Sequence, residues 1–353
     1  MVKTEKTALE AKFEAQKIAF GPIVFQATRA LRELGVLSIL HAHRKQGLTI
    51  ELLAEESKIS LYGIKVLLEV ALSADIVSID EGGNYTLTKT GYFLIKDELT
   101  TVNFNFVNDV CYSGMFHLPE AIQTGRPAGL KSFGDWQTIY EALSHLPPHV
   151  QKSWFDFDHF YSDRAFSYVL PLLFAKPIRR LVDIGGNTGR FALRCVDYDP
   201  DVRITILDLP GQLAKARHNI QEQGHTARIE GVALDLLKDE IHLPPDTEIV
   251  WMSQFLDCFS ESQVIDILTR LKRAMHPGVS IYILETLWDR QRFQAASYSL
   301  TNTSLYFTCM ANGCSKMYHS SELHAYIEKA GLSIKRELDN IGLDHTLIEV
   351  VNC

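Results

Sequence analysis

The sequence predicts an α/β chain in which a small helical module ending in a β-hairpin precedes a doubly wound, mostly parallel sheet. Three observations predict it. From residue 180 onward, short runs rich in Val, Ile and Leu alternate with stretches of helical length, the pattern of repeated strand–helix–strand units. The first of those runs leads straight into a glycine-rich turn, Gly185-Gly186-Asn187-Thr188-Gly189. The first ninety or so residues read as helices followed by two alternating strands around Glu81-Gly82-Gly83-Asn84.

Composition narrows the function classes. Of 353 residues, 46% are hydrophobic and 22% charged, which excludes disorder and leaves room for more than one core. The net charge of −8 argues against a chain that grips nucleic acid. No apolar run approaches the ~20 residues needed to cross a bilayer, so no membrane partner is expected. The six cysteines (Cys111, Cys195, Cys258, Cys309, Cys314, Cys353) show no metal or disulfide spacing and read as thiols. No metal is expected. The polar, helical start MVKTEKTALEAKFEAQ lacks the features of a signal peptide, and a cytoplasmic setting is the expectation.

Residues 7–18 and 22–34 read as two helices. A helix ending near His43, one over 50–57 opened by Thr49, and one over 61–73 follow. The strands IVSID and YTLTKTG complete three helices plus a hairpin, which is a winged helix. A DNA-reading third helix needs basic residues. This one offers Lys65 against Glu69 and Asp75, and it is rich in Leu61, Val66, Leu67, Leu68, Val70 and Leu72. Its composition suits packing or dimerisation. Residues 100–160 are dense in aromatics, among them Phe104, Phe106, Trp136, Tyr140, Trp154, Phe155 and Phe157, and read as short helices. These rings either pack domains or line an apolar pocket for a flat acceptor.

In the sheet half, the strand RLVDI ends on Asp183 and Ile184. Gly185, Gly186 and Gly189 then let a ligand touch backbone. Asp208 closes the next strand 23 residues after Gly185, the distance at which a carboxylate meets ribose hydroxyls. The spacing departs from G-x-G-x-x-G, and Asp235 follows the third strand where an adenine amino group is bound. A nucleoside cofactor without phosphates, S-adenosylmethionine, fits best. The helix SQVIDILTRLKRAM opens with a capping box of Ser260 and Gln263, and the tail reads as an antiparallel strand pair.

These segments resemble the small-molecule O-methyltransferase family that includes the plant caffeate and bacterial polyketide enzymes. LVDIGGNTGRFAL is similar to V-D-x-G-G-G-x-G, with Asn187 at the third glycine. ILDLP resembles F-D-L-P, VALDLL stands where the family has G-D-[MF]-F, and KRAMHPGVSIYILETLW resembles the run from the fourth helix into the fifth strand. The resemblance covers nearly the whole chain in order. It implies an α/β fold: a Rossmann-like methyltransferase sheet with an N-terminal winged-helix domain. The domains would be a winged-helix dimerisation domain over 1–100, a helical connector contributing to the acceptor pocket over 101–165, and an S-adenosylmethionine-binding domain over 166–353. The cofactor residues would be Asp183, Gly185, Gly186, Gly189, Asp208, Leu209, Asp235 and Leu236, with Ser253 where many members have a contacting lysine. A homodimer through the N-terminal domain is implied.

The catalytic positions depart from the family. Its general-base histidine, in L-H-D-W-S-D, is replaced by Asp257 in Leu256-Asp257-Cys258-Phe259-Ser260-Glu261. The glutamate at the end of the fifth strand is retained as Glu285. The second family glutamate meets Ser315-Lys316-Met317-Tyr318-His319-Ser320, which has no carboxylate. Asp257 is therefore read as a base, as a loop anchor, or as the orienter of another base such as His319. Tyr161, Tyr298, Asn302, Tyr306 and Met310 are expected to line the acceptor pocket. The leading reading is methyl transfer to a small, aromatic, hydroxylated acceptor, with O-methylation favoured and C-methylation open. The alternatives are a decarboxylase or hydroxylase that keeps the cofactor structurally, and a winged-helix ligand-sensing regulator.

Overall fold

A computed structural model describes residues 5–352; Cys353 lies outside the described residues. The chain forms two compact units that divide between Phe104 and Asn105.

The first unit opens with a single helix, α1 (Ala8–Glu33), where the sequence suggested two. Pro22 lies inside it. Proline fits helical φ and forfeits one i→i−4 bond, and the helix continues through it. Then come α2 (Val36–Ala42), α3 (Ile50–Ser57) and α4 (Leu61–Ser73), with α3 and α4 capped by the hydroxyls of Thr49 and Ser60. The hairpin is short: β1 (Val77–Ile79) pairs antiparallel with β2 (Tyr85–Leu87). The run Thr88–Gly91, read as strand, instead starts α5 (Lys89–Lys96). Thr88 Oγ1 accepts the N–H of Gly91 and donates to the carbonyl of Asp75, so one hydroxyl ends the strand and caps the helix. Leu31, Leu37, Leu40, Leu53, Ile64 and Leu68 form the core of this unit.

A helix over Glu98–Phe106 (α6) contains the division between the units. In the second unit, α7 (Leu118–Thr124) and α8 (Ile139–Ala142) are short, as expected of the aromatic segment. The helix α9 (Pro148–Leu173) is not: it runs 26 residues, straight through the expected domain boundary at 165/166. The aromatic segment from residue 105 onward and the sheet therefore share one compact unit, because one continuous helix belongs to both.

The sheet has seven strands in the order β5-β4-β3-β6-β7-β9-β8. These are β3 (Arg180–Ile184), β4 (Arg203–Asp208), β5 (Ile229–Ala233), β6 (Thr247–Ser253), β7 (Ser280–Glu285), β8 (Ser333–Ile341) and β9 (His345–Val351). The first five run parallel, and β9 and β8 close the edge antiparallel. The strand order reverses at β3, between β4 and β6, so a ligand crevice is expected at the carboxyl ends of these strands. One face packs on α9 and α10 (Arg190–Tyr198), with fully buried Trp251 stacked on Phe191 at 4.4 Å. α11 (Pro210–Glu222) adds Leu213, Ala216 and Ile220 to that core. The opposite face packs on α12 (Glu261–Ala274) and α14 (Ser320–Lys329). Each large aliphatic side chain so buried contributes ~1.5–3 kcal/mol. Between β7 and α14 lies α13 (Gln294–Tyr306), and the expected capping box of Ser260 and Gln263 opens α12.

Candidate active site

The glycine-rich turn is built for close approach. Gly185 has φ +73°, and a Cβ there would stand 2.2 Å from the Phe255 ring. At Gly186 a Cβ would stand 2.7 Å from Asp183 Oδ2. Asn187, where the family signature has glycine, takes the left-handed conformation at φ +49°. Its backbone N–H donates to Asp208 Oδ2 at 2.8 Å, and the N–H of Leu209 donates to Asp208 Oδ1 at 2.7 Å. Asp208 is thus held rigidly at the tip of β4. Burial pushes it up to about 6, against those two donors. Asp183 is 2% exposed; burial, reinforced by Asp208, pushes it up to about 8.

Four buried polar atoms around the strand ends have no partner: Asp183 Oδ2, Asn187 Oδ1, Ser253 Oγ and Gln254 Oε1. Gln254 is also left-handed, at φ +46°. Orphaned acceptors and strained non-glycine backbone gathered at one crevice mark a place where a polar ligand completes the hydrogen bonding. The donor set fits S-adenosylmethionine: a carboxylate for ribose hydroxyls, further oxygens for the amine of its methionine part, and glycine backbone at the turn.

The remaining cofactor candidates are placed differently. Asp235 accepts the N–H of Leu237 at 3.0 Å and pairs with Lys238 at 2.7 Å. Partial burial works the other way, but these partners hold it below the usual carboxylate range. Leu236 is 6% exposed, and its side chain packs into the core beneath the crevice. Gly189 begins α10 at φ +77°.

The catalytic candidates come together. Asp257 lies on a 3-10 turn, Leu256–Cys258, directly after β6, and is 4% exposed. Burial pushes it up to about 7, and the Cys258 thiol donates to its Oδ1 at 3.5 Å. Glu285, 1% exposed at the end of β7, accepts the backbone N–H of Phe255 at 3.1 Å and of Leu256 at 2.9 Å through Oε1. Burial and the neighbouring Asp257 raise it strongly. Its bonds go to backbone, so it positions the turn that carries Asp257. His319 caps α14 through Nδ1, which accepts the N–H of Ser321, while its Nε2 lies 3.5 Å from Asp289. Both ring nitrogens have structural partners.

The acceptor candidates divide. Tyr306 is buried, accepts the Trp154 indole N–H at 2.7 Å, and packs edge-on to Phe106. Tyr161 is 9% exposed beside Phe157. Met310 is fully buried between Gly114 and Gly129, where it fills core rather than pocket. Tyr298 is 70% exposed and Asn302 is exposed, whereas Leu300 and Tyr306 of the same helix are buried. Sequence reading passed over Asp158 of α9, which accepts the Asn187 amide at 3.1 Å. The available signal was its place four residues after Trp154 and three before Tyr161, on one helix face.

Fold and crevice define a nucleoside-cofactor transferase of the doubly wound class. Residues 117–333 match the model of the O-methyltransferase domain, and residues 12–85 match that of a dimerisation2-like domain. The chain belongs to the O-methyltransferase domain family, whose members depend on S-adenosylmethionine. It is 25% identical to human acetylserotonin O-methyltransferase over 284 residues, covering 78% of this chain and 80% of that protein. It is 28% identical to the 3-hydroxy-5-methyl-1-naphthoate 3-O-methyltransferase of Streptomyces sahachiroi over 156 residues, 44% of each chain. Among solved structures, the S-adenosylmethionine-dependent methyltransferase SibL aligns with TM-score 0.71 at 22% identity, covering 95% of this chain and 98% of that one.

Proposed function

We propose that this chain moves the methyl group of S-adenosylmethionine onto a hydroxyl oxygen of a small aromatic acceptor, with Asp257 as the base. The observation that carries the reading is the crevice itself. A fixed Asp208, orphaned oxygens around a glycine turn, and a buried carboxyl on an anchored turn all lie at the ends of adjacent strands. The acetylserotonin and naphthoate relatives, both named as O-methyltransferases, support an aromatic hydroxyl as acceptor.

Asp208 would hold the ribose, and the backbone of Gly185 and Gly186 would meet the methionine part. Asp183 and Ser253 supply oxygens beside it, while Leu209, Gly189, Asp235 and the turn at Leu236 frame the nucleoside. When bound, the cofactor supplies an electrophilic methyl group on a positively charged sulfur. Ionised Asp257 would accept the proton of the acceptor hydroxyl as that oxygen receives the methyl group and the neutral thioether leaves. Alignment of this kind contributes ~7–11 kcal/mol, and a general base a further 10²–10⁴-fold. Tyr306 and Tyr161 supply aromatic walls. Glu285 fixes the turn, so Asp257 does not drift as it changes charge.

The first unit is read as a winged-helix module over roughly 1–100 that pairs two copies. α1 carries Leu9, Phe13, Phe20 and Ile23 on one face, each more than half exposed, a surface suited to a second copy. The acidic balance and the packing character of α4 speak against nucleic acid. Among the described residues no helix is long and apolar enough to cross a membrane, and a cytoplasmic setting fits the free thiols of Cys111, Cys195, Cys258, Cys309 and Cys314. The test is incubation with S-adenosylmethionine and a panel of phenols, naphthols and hydroxyindoles, read by mass spectrometry. An O-methylated product with S-adenosylhomocysteine supports the reading. Decarboxylated or hydroxylated product without cofactor turnover would overturn it.

A further inference from the structure

One hollow of the second unit has walls that play no part in methyl transfer. It holds about 250 Å³ and is lined by Phe155 and His159 of α9, Thr188 of the glycine-rich turn, and Lys215, His218 and Asn219 of α11. Helical spacing explains the set. Positions 155 and 159 lie one turn apart on α9, as do 215 and 218–219 on α11, so each helix turns one short face to the hollow. The wall between them is fixed. The Asn219 amide donates to the Thr188 carbonyl at 2.9 Å, and Thr188 Oγ1 lies 3.5 Å from His159 Nε2.

The lining combines a free cation with flat apolar surface. Lys215 Nζ stands 4.5 Å from the centroid of the Phe155 ring and has no ion-pair partner among the described residues. An aromatic face holds an ammonium in place without neutralising it, so the charge stays available to a ligand. No acidic side chain lines the hollow. The acids of α9 are engaged elsewhere: Asp156 with Lys152, Asp158 with the Asn187 amide and Asp163 with Arg190. The His218 ring lies 3.3 Å from Glu222. His159 stacks on Phe155 at 5.6 Å, and burial and Arg190 push it down to about 4, so near pH 7 it is a neutral, flat wall.

We propose that this hollow is a second binding site, separate from the cofactor crevice, for a small aromatic carboxylate. The carboxylate pairs with Lys215, and the ring lies against His159 and Phe155. A bare inorganic anion would leave the aromatic wall uncovered, and a neutral ring would leave Lys215 unpaired. Volume limits the ligand: about 250 Å³ falls short of the ~300 Å³ at which drug-sized sites begin, so the hollow suits one ring or two fused rings. None of Asp183, Asp208, Asp235 or Ser253 lines it, which separates it from the residues assigned to the cofactor. The inference stands on the hollow alone and does not rest on the methyl-transfer reading.

The test is titration calorimetry of the full chain at low salt, with naphthoate and with its neutral counterpart, naphthyl methanol. Naphthoate should bind, and Lys215→Gln should weaken it by about 10–100-fold, the equivalent of one charge-assisted hydrogen bond. Lys215→Arg should restore most of that affinity. Naphthyl methanol should bind the natural chain and Lys215→Gln alike. The Lys215-dependent binding should persist when S-adenosylhomocysteine is present at saturation. Unchanged urea midpoints show that both variants are folded. Naphthoate seated beside Asp257 instead would be indifferent to Lys215. No saturable binding, equal affinity in the natural chain and Lys215→Gln, or displacement by S-adenosylhomocysteine overturns the second site.

Discussion

Glu285 Oε1 accepts the backbone N–H of Leu256 at 2.9 Å, so a glutamate at the end of β7 fixes the turn on which Asp257 stands one residue later. The carboxylate that the family resemblance marks as a base orienter holds the turn of Asp257 here through main chain.

That relationship predicts a split between two substitutions. Glu285→Ala strands the buried N–H groups of Phe255 and Leu256, at about 1–3 kcal/mol each. Urea unfolding should show a loss of that order together with greatly reduced methyl transfer. Glu285→Gln keeps an amide oxygen for the same donors and should retain most of the stability. Equal stability of all three proteins would contradict the anchoring role.

Asp208 accepts two backbone N–H groups and would accept ribose hydroxyls as well. Asp208→Ala should weaken S-adenosylmethionine binding by about 10–100-fold, the equivalent of one charge-assisted hydrogen bond or two. Calorimetry measures this directly, and unchanged affinity removes the ribose assignment.

Asp183, pushed up to about 8 by burial and by Asp208, ties stability to pH. Its folded value lies above the unfolded one, so the folded state binds the extra proton between them. The associated stability is complete below about pH 4 and is lost as pH rises through about 8. Without cofactor, urea midpoints should therefore fall between pH 5 and pH 8. Asp183→Asn should flatten that slope and weaken cofactor binding. A slope unaffected by the substitution would locate the effect elsewhere.

The apolar surface of α1 predicts association. Phe20, 58% exposed on the face it shares with Leu9, Phe13 and Ile23, becomes charged in Phe20→Glu; sedimentation should show a dimer for the natural chain and a monomer for the variant. A dimer that survives the change would move the interface off this face of α1.

Much of this was legible because the signals are local. A strand that ends in Asp183-Ile184-Gly185-Gly186, an acid at Asp208 and a capping box at Ser260 and Gln263 are short-range patterns with direct chemical meaning. The errors came where a local signal was overridden. Pro22 did not stop α1, which runs on to Glu33 at the cost of one backbone hydrogen bond. Thr88 ended β2 early, because its hydroxyl found both a helix N-terminus and the carbonyl of Asp75.

By itself, the sequence determined the order of the sheet strands and their helices, the glycine turn and the acid at the tip of β4. Only the tertiary structure decided which side chains meet. It carried Asp158, 29 residues before Asn187, onto the glycine-rich turn; it sealed Met310 into core, and it turned Tyr298 and Asn302 outward. Helical spacing defines the face a residue occupies, but burial depends on what the rest of the chain lays against that face. The protonation of a carboxyl depends on the same packing, because solvation and neighbouring charge are set by residues distant in sequence.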